Sequence, residues 1–163
     1  MKCCVAQIKS ITGDIERNIE RHKEFVATAV SHHANLIIFP ELSLTGYEPT
    51  LAQALAIQPD DPRLDRFQTM ANAGKIIIGV GAPTQHQPRP CISLILFRPQ
   101  QPRNLYTKQY LHEDEEPFFA PGERVSGLIG QKNEVALAIC YELSVSEHAA
   151  AAAGNGAEIY IAS

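Results

Sequence analysis

Glu134-Val135-Ala136-Leu137-Ala138-Ile139-Cys140-Tyr141-Glu142 is an apolar strand that runs directly into a cysteine, and a helical pattern opens within a few residues of it. A short apolar run bounded by polar residues reads as a buried strand, and strands alternating with helices build α/β sheets. A side chain at such a strand-to-helix turn is held out of the sheet, and the backbone N–H that follows it can help to bind an oxyanion. Cys140 is therefore a candidate nucleophile, although a buried core cysteine would leave the same letters.

Working outward, the α/β pattern continues in both directions. Downstream, Ser144 and Glu147 read as an S-x-x-E capping box before the alanines at 149–153, with Gly154 or Gly156 ending the helix and a last strand at 158–162. Upstream, the pattern predicts a strand at 1–8 and then a helix capped by Asp14, on which Ile15, Ile19, His22, Val26, Ala29 and Val30 share a face. Residues 36–39 form a buried strand stopped by Pro40. Asp61, Pro62 and Gly74 bracket a second helix that buries Leu64, Phe67 and Ala71, and a strand follows at 76–80. Strands at 91–97, 104–107, 125–129 and 134–139 complete a meander of mixed direction.

The 163 residues suffice for one domain with a sizeable core, and 45% hydrophobic with 20% charged residues is the composition of a globular chain. The net charge is −4 and the 14 basic residues are scattered, so no footprint for nucleic acid or an anionic membrane is present. No apolar run approaches the roughly 20 residues of a membrane span, and the start MKCCVAQIKSITGD lacks a secretory pattern. A cytoplasmic protein with reduced cysteines is expected. The histidines His22, His32, His33 and His112 show no zinc spacing with Cys or Asp, which argues against a metal site.

Two further segments carry chemistry. Phe39-Pro40-Glu41-Leu42-Ser43-Leu44-Thr45-Gly46-Tyr47 places a carboxylate just past a buried strand, at the edge where open α/β sheets collect ligands. Glu41 is a base candidate there, or else a solvated loop residue. Tyr106-Thr107-Lys108-Gln109-Tyr110-Leu111 leads through His112-Glu113-Asp114-Glu115-Glu116 into Pro117-Phe118-Phe119-Ala120-Pro121-Gly122, and composition alone makes this an acidic loop beside a surface lysine.

Taken together, Glu41, Lys108 and Cys140 with their flanking words resemble the nitrilase superfamily of carbon–nitrogen hydrolases. The likeness rests on a Pro-Glu after an apolar strand, a Lys before an acidic stretch ending in Phe-x-Pro-Gly, and a Cys-Tyr-acidic elbow, in that order. It implies an α-β-β-α sandwich and a Glu-Lys-Cys triad that cleaves non-peptide C–N bonds of a small linear amide or N-carbamoyl compound through a thioester. In that scheme Glu41 is the base, while Lys108 and the Tyr141 N–H stabilise the oxyanion. Glu115 orients substrate and holds Lys108, with Glu113 and Glu116 as close alternatives. Tyr47 is a further substrate-side residue, Glu142 a structural anchor, and neither cofactor nor metal is required. Ser144 and Ser146 stand where the family commonly has an Arg and a Pro, which leaves in doubt any substrate-carboxylate site that would use that Arg.

The word from Pro40 to Tyr47 also resembles the glutaminase domain of glutamine-dependent NAD synthetases, and a non-catalytic protein of the same fold is a third reading. Residues 1–163 are expected to be a single nitrilase-like domain, truncated on its C-terminal side and homo-oligomeric when complete. The apolar strand at 158–162 would then leave an apolar patch exposed.

Overall fold

Side chains alternate across a strand, so a fully buried strand must satisfy two apolar layers at once. The computed structural model, which describes residues 1–124 and 127–163, is built on that constraint. Strands β1 (Cys3–Val5), β2 (Leu36–Ile38), β3 (Ile77–Thr84), β4 (Cys91–Phe97) and β5 (Asn104–Thr107) form one sheet in that order. The β1, β2 and β3 neighbours pair in parallel, and β3–β4 and β4–β5 are antiparallel. A second sheet sets β7 (Val135–Ala138) between β6 (Leu128–Ile129), antiparallel to it, and β8 (Ile159–Ala162), parallel to it.

Helices α1 (Ile15–Ser31) and α3 (Asp65–Gly74) cover the outer face of the five-stranded sheet, and a short α2 (Ala52–Leu55) lies in the connection between them. Ile19, Val26, Phe67 and Ala71 from the helices meet Ile37, Ile78, Val80, Ile95 and Phe97 from the strands and Phe39 just past β2. Phe67 is fully buried, as is Phe97; each such side chain stabilises by roughly 1.5–3 kcal/mol through loss of apolar surface to water. The alternate positions Leu36, Ile38, Ile92, Leu94 and Leu96 point the other way and pack on Val135, Leu137 and Ile161 of the second sheet and on Ile139 just past β7. Outside that sheet lies α4 (Ser146–Gly154), joined to Tyr160 of β8 through His148. The layers are therefore α-β-β-α, the expected sandwich. No helix among the described residues is long and apolar enough to cross a membrane.

The helix signals hold where a side chain can cap. The Asp14 carboxylate accepts the Arg17 N–H, and that of Asp61 accepts the Arg63 N–H before α3. Three expectations change. The first strand covers only Cys3–Val5, because its one partner, β2, stops before Pro40. The expected strand at 76–80 extends to Thr84, because β4 pairs along the whole length of β3. Ser144 does not cap α4: it ends a 3₁₀ turn, Cys140–Ser144, and Val145 takes the cap position without a side-chain bond. The turn is held by Glu142, whose carboxylate accepts the Ile139 N–H at 2.8 Å, so the helix starts later. Val125 and Ser126, part of the expected strand at 125–129, lie outside the described residues. The exposed apolar side chains include Leu143 and Tyr141 beside this turn and Val5 on β1, whereas Ile161 of β8 is buried.

His22 sits on the buried face of α1 with no solvent exposure, against the Phe39 ring at 4.2 Å. Its Nδ1 is 2.6 Å from the Asn18 carbonyl, which can only accept, so Nδ1 carries the proton. Desolvation pushes the imidazole pKa down to about 4; the bond to Asn18 opposes the fall and the charge of Arg21 adds to it. An unfolded histidine protonates near 6.5, so the folded state resists a proton that the unfolded chain takes up. Stability is full above that value and falls as pH drops toward 4. We predict that His22→Gln flattens this dependence, removing up to about 3 kcal/mol of pH-linked loss, as read from urea midpoints between pH 7 and 4.

Candidate active site

Three loops at the carboxyl ends of β2, β5 and β7 converge. Pro40 ends β2, and the chain turns through Glu41 and Leu42, the latter at φ +52. The turn nests on Gly81 of β3, where a Cβ would come within 2.3 Å of the Pro40 oxygen and 2.6 Å of the Leu42 nitrogen. Only glycine lets the Glu41 loop lie so close. Lys108 follows β5 directly, with its N–H on the Ile92 carbonyl at 2.8 Å. Gly122 donates to the Lys108 carbonyl at 2.7 Å and would strike Thr107 if it carried a Cβ, which is the physical reason for a glycine at the end of Phe119-Ala120-Pro121-Gly122.

Lys108 is fully buried, and its ammonium donates to Glu41 Oε1 at 2.7 Å and Glu115 Oε1 at 2.6 Å. Glu115 is held in turn by a tight turn, its Oε2 accepting the His112 N–H at 2.8 Å. Glu113 and Glu116 are exposed, so of the three glutamates considered for this place the chain buries Glu115. Desolvation works against the Lys108 charge, but the two carboxylates outweigh it and raise its pKa. For Glu41 the balance goes the other way: desolvation raises its carboxyl pKa despite the attraction and hydrogen bond of Lys108.

Cys140 occupies the turn after β7 in the left-handed region, φ +44, which costs a side-chain-bearing residue about 1–2 kcal/mol. That conformation holds the thiol out of the sheet. Its N–H is tied to the Ser163 carbonyl at 2.8 Å, and the Ser163 hydroxyl donates to the Phe39 carbonyl at 2.9 Å, so the end of β8 spans the two loops. Cys140 is exposed, whereas Cys91 is buried and Cys3 and Cys4 are intermediate. Desolvation raises the thiol pKa, the charge of Glu41 and a hydrogen bond to it add to the rise, and Lys108 opposes it. The resting thiol is thus protonated at neutral pH, beside a carboxylate made more basic by burial.

The remaining sequence candidates take different places. Tyr141 packs edge-on against His112 at 5.1 Å, and no described residue accepts its N–H. Tyr47 is exposed at the rim; desolvation and the charges of Glu115, Asp114 and Glu41 raise its phenol, but it makes no hydrogen bond to the triad among the described residues. A groove of about 940 Å³ lies to one side, lined by Arg89, Tyr110, Glu116 and Tyr141, and does not touch Glu41, Lys108 or Cys140.

Glu142 is the anchor. Fully buried, its carboxylate accepts Ile139 N–H from the elbow, Gln109 N–H at 2.5 Å from the Lys108 loop, and the Tyr106 hydroxyl at 2.7 Å from β5. The Tyr106 oxygen in turn meets His148 Nε2 at 2.7 Å, and His148 Nδ1 meets the Tyr160 hydroxyl at 2.7 Å. Sequence reading missed Tyr106, His148 and Tyr160. Each looks like a core or helix-face residue, and only the packing of four elements brings them to one carboxylate.

Residues 2–163 match the carbon-nitrogen hydrolase family, and the chain belongs to it. Among curated relatives it is 28% identical to an (R)-stereoselective amidase of Pseudomonas sp over 162 residues, 99% of this chain and 59% of that protein. A glutamine-dependent NAD(+) synthetase of Acinetobacter baylyi is 29% identical over 130 residues, covering 76% of this chain and 24% of that one. The fold superposes on an amidase of Nesterenkonia sp. AN1 in complex with butyramide, with a TM-score of 0.86 at 23% identity, across 99% of this chain and 64% of that one. A mutant of that amidase carries the acetamide moiety of fluoroacetamide at its active-site cysteine. The chain thus spans about three fifths of the length of the amidases it matches.

Removing the Glu142 carboxylate would strand donors from three elements, at about 1–3 kcal/mol for each buried group left unpaired. We predict that Glu142→Ala destabilises the protein by about 3–5 kcal/mol in denaturant titrations. Exposed Glu113→Ala should stay within about 0.5 kcal/mol of wild type.

Proposed function

We propose that this protein is a thiol amidase that hydrolyses the C–N bond of a small linear amide or N-carbamoyl compound. The observation that carries the reading is the buried Lys108 ammonium bridging Glu41 and Glu115 next to a cysteine held in a left-handed turn. A doubly paired, fully buried lysine is an expensive thing for a fold to build without a use for the charge.

The chemistry follows from the groups present. As the Cys140 sulfur attacks the amide carbon, Glu41 takes the thiol proton. Two of the three Lys108 donors are engaged by carboxylates, which leaves one for the tetrahedral oxyanion; the unclaimed Tyr141 N–H supplies a second. Glu41 then protonates the leaving nitrogen, the C–N bond breaks and a thioester remains. Water, deprotonated by the same carboxylate, attacks the thioester and releases a carboxylic acid as the thiol recovers its proton. Glu115 holds Lys108 from the far side, and Tyr47 and Tyr141 stand at the rim, where they can contact the substrate.

A second reading within the fold is an ammonia-supplying glutaminase domain, favoured by the match to glutamine-dependent NAD(+) synthetases. Ammonia release measured across small amides, N-carbamoyl compounds and glutamine separates the two. Hydrolysis of short amides with little turnover of glutamine supports the amidase; the reverse supports the glutaminase. In the assay that works, Cys140→Ala should abolish turnover. Glu41→Gln should lower kcat by about 100- to 10,000-fold and Lys108→Ala by at least about 100-fold. Near-native turnover in any of the three contradicts its role.

A further inference from the structure

The Glu41 turn is fastened to the helix layer by buried contacts that the reaction scheme does not use: Asn18 of α1 donates to the Leu44 carbonyl at 2.9 Å, and His22 of the same helix meets Ser43. The Ser43 hydroxyl oxygen lies 2.9 Å from His22 Nε2 and accepts the Gly81 N–H at 3.2 Å. Because the Asn18 carbonyl takes the Nδ1 proton, the neutral imidazole has only a lone pair at Nε2. The Ser43 hydroxyl must therefore donate to His22 while accepting from Gly81, so both of its roles are assigned. Ser43 is two residues from Glu41, and its carbonyl is held by the Ser10 hydroxyl at 2.7 Å. On the other side the imidazole lies against the ring of Phe39, two residues before Glu41. His22 thus grips the turn on both flanks, and Gly81 leaves it no room to settle closer to the sheet.

We propose that His22, acting through the Ser43 hydroxyl, is a positioning residue that sets the reach of the Glu41 carboxylate to the Cys140 thiol. The role rests on the reading of Glu41 as the base for Cys140. An imidazole kept neutral in the core suits it, because a lone pair at Nε2 leaves the Ser43 hydroxyl one orientation, whereas a protonated ring would donate to that oxygen and take away the acceptor that fixes the Ser43 proton. His22 and Ser43 are both buried beneath the turn, so loss of their contact should show in the rate of the chemical step and in the ionisation of the thiol.

The test is the pH dependence of Cys140 alkylation by iodoacetamide in the wild-type protein and in E41Q, S43A, H22L and H22Q. The Glu41 charge and its hydrogen bond both raise the thiol pKa, so E41Q should move the alkylation midpoint downward and set the full effect. S43A and H22L, which delete the two ends of the contact, should each move it in the same direction by about half a unit or more. The double variant should move no further than either single one, because both remove one contact. H22Q, which can still accept the Ser43 proton, should keep the wild-type midpoint. On any amide that the wild type hydrolyses, S43A should lower kcat about tenfold and leave KM unchanged.

A shift in E41Q with none in S43A and H22L overturns the positioning role and leaves the base intact. An unshifted E41Q overturns the base reading and this role with it. H22Q behaving as H22L would reduce His22 to packing and overturn the role as well. S43A is the smaller change, so it decides the matter should H22L fail to fold.

Discussion

An ammonium removed from water must be neutralised where it stands, and Lys108 obeys this with two carboxylates drawn from different parts of the chain. Glu41 comes from the parallel half of the first sheet, Glu115 from the turn that follows β5, and the lysine itself from the end of that strand. Each partner must therefore be held, so the constraint passes outward into the fold. Glu115 is fixed through its bond to the His112 N–H, and Glu41 through a turn laid against a glycine. Two negative charges against one positive also leave the centre with an excess carboxylate. Burial then raises the Glu41 pKa despite the neighbouring ammonium.

The cysteine is placed by a different means. Cys140 bears backbone strain of the kind that a single residue sustains only when its surroundings over-determine it. Those surroundings are the Ser163 carbonyl on its N–H and the Glu142 carboxylate beneath the turn. Glu142 also accepts N–H groups from the Lys108 loop, so the distance between lysine and cysteine is set by one buried side chain shared between them. Ser163 does the equivalent between the cysteine turn and the end of β2. Glu142 and Ser163 thus tie the three loops together, and neither bonds to a side-chain atom of Glu41, Lys108 or Cys140.

Much of this architecture is legible in the amino-acid sequence. The strands and helices are marked by periodicity and by side chains that act locally: Asp14 caps the residue three positions on, and Pro40 stops the strand it follows. Local signals mislead where a stronger distant one meets them. Ser144 and Glu147 have the spacing of a capping box, but the Glu142 carboxylate claims the start of the turn and displaces the helix cap by one residue, from Ser144 to Val145. Composition makes Lys108 a surface lysine, and only its resemblance to a family places it among catalytic residues. Its burial is a property of the packed loops, and no local pattern encodes it.

By itself the sequence determined the α/β alternation, the order of the three motif-bearing loops and the identity of the groups they carry, because periodicity, caps and turn residues act over a few positions. Tertiary structure decided which of three adjacent glutamates is buried against Lys108, the direction in which the thiol and the Glu41 carboxyl are shifted, and the ties through His22, Ser43, Glu142 and Ser163. Those depend on desolvation and on contacts between residues as much as 124 positions apart, and neither exists until the two sheets have closed on one another.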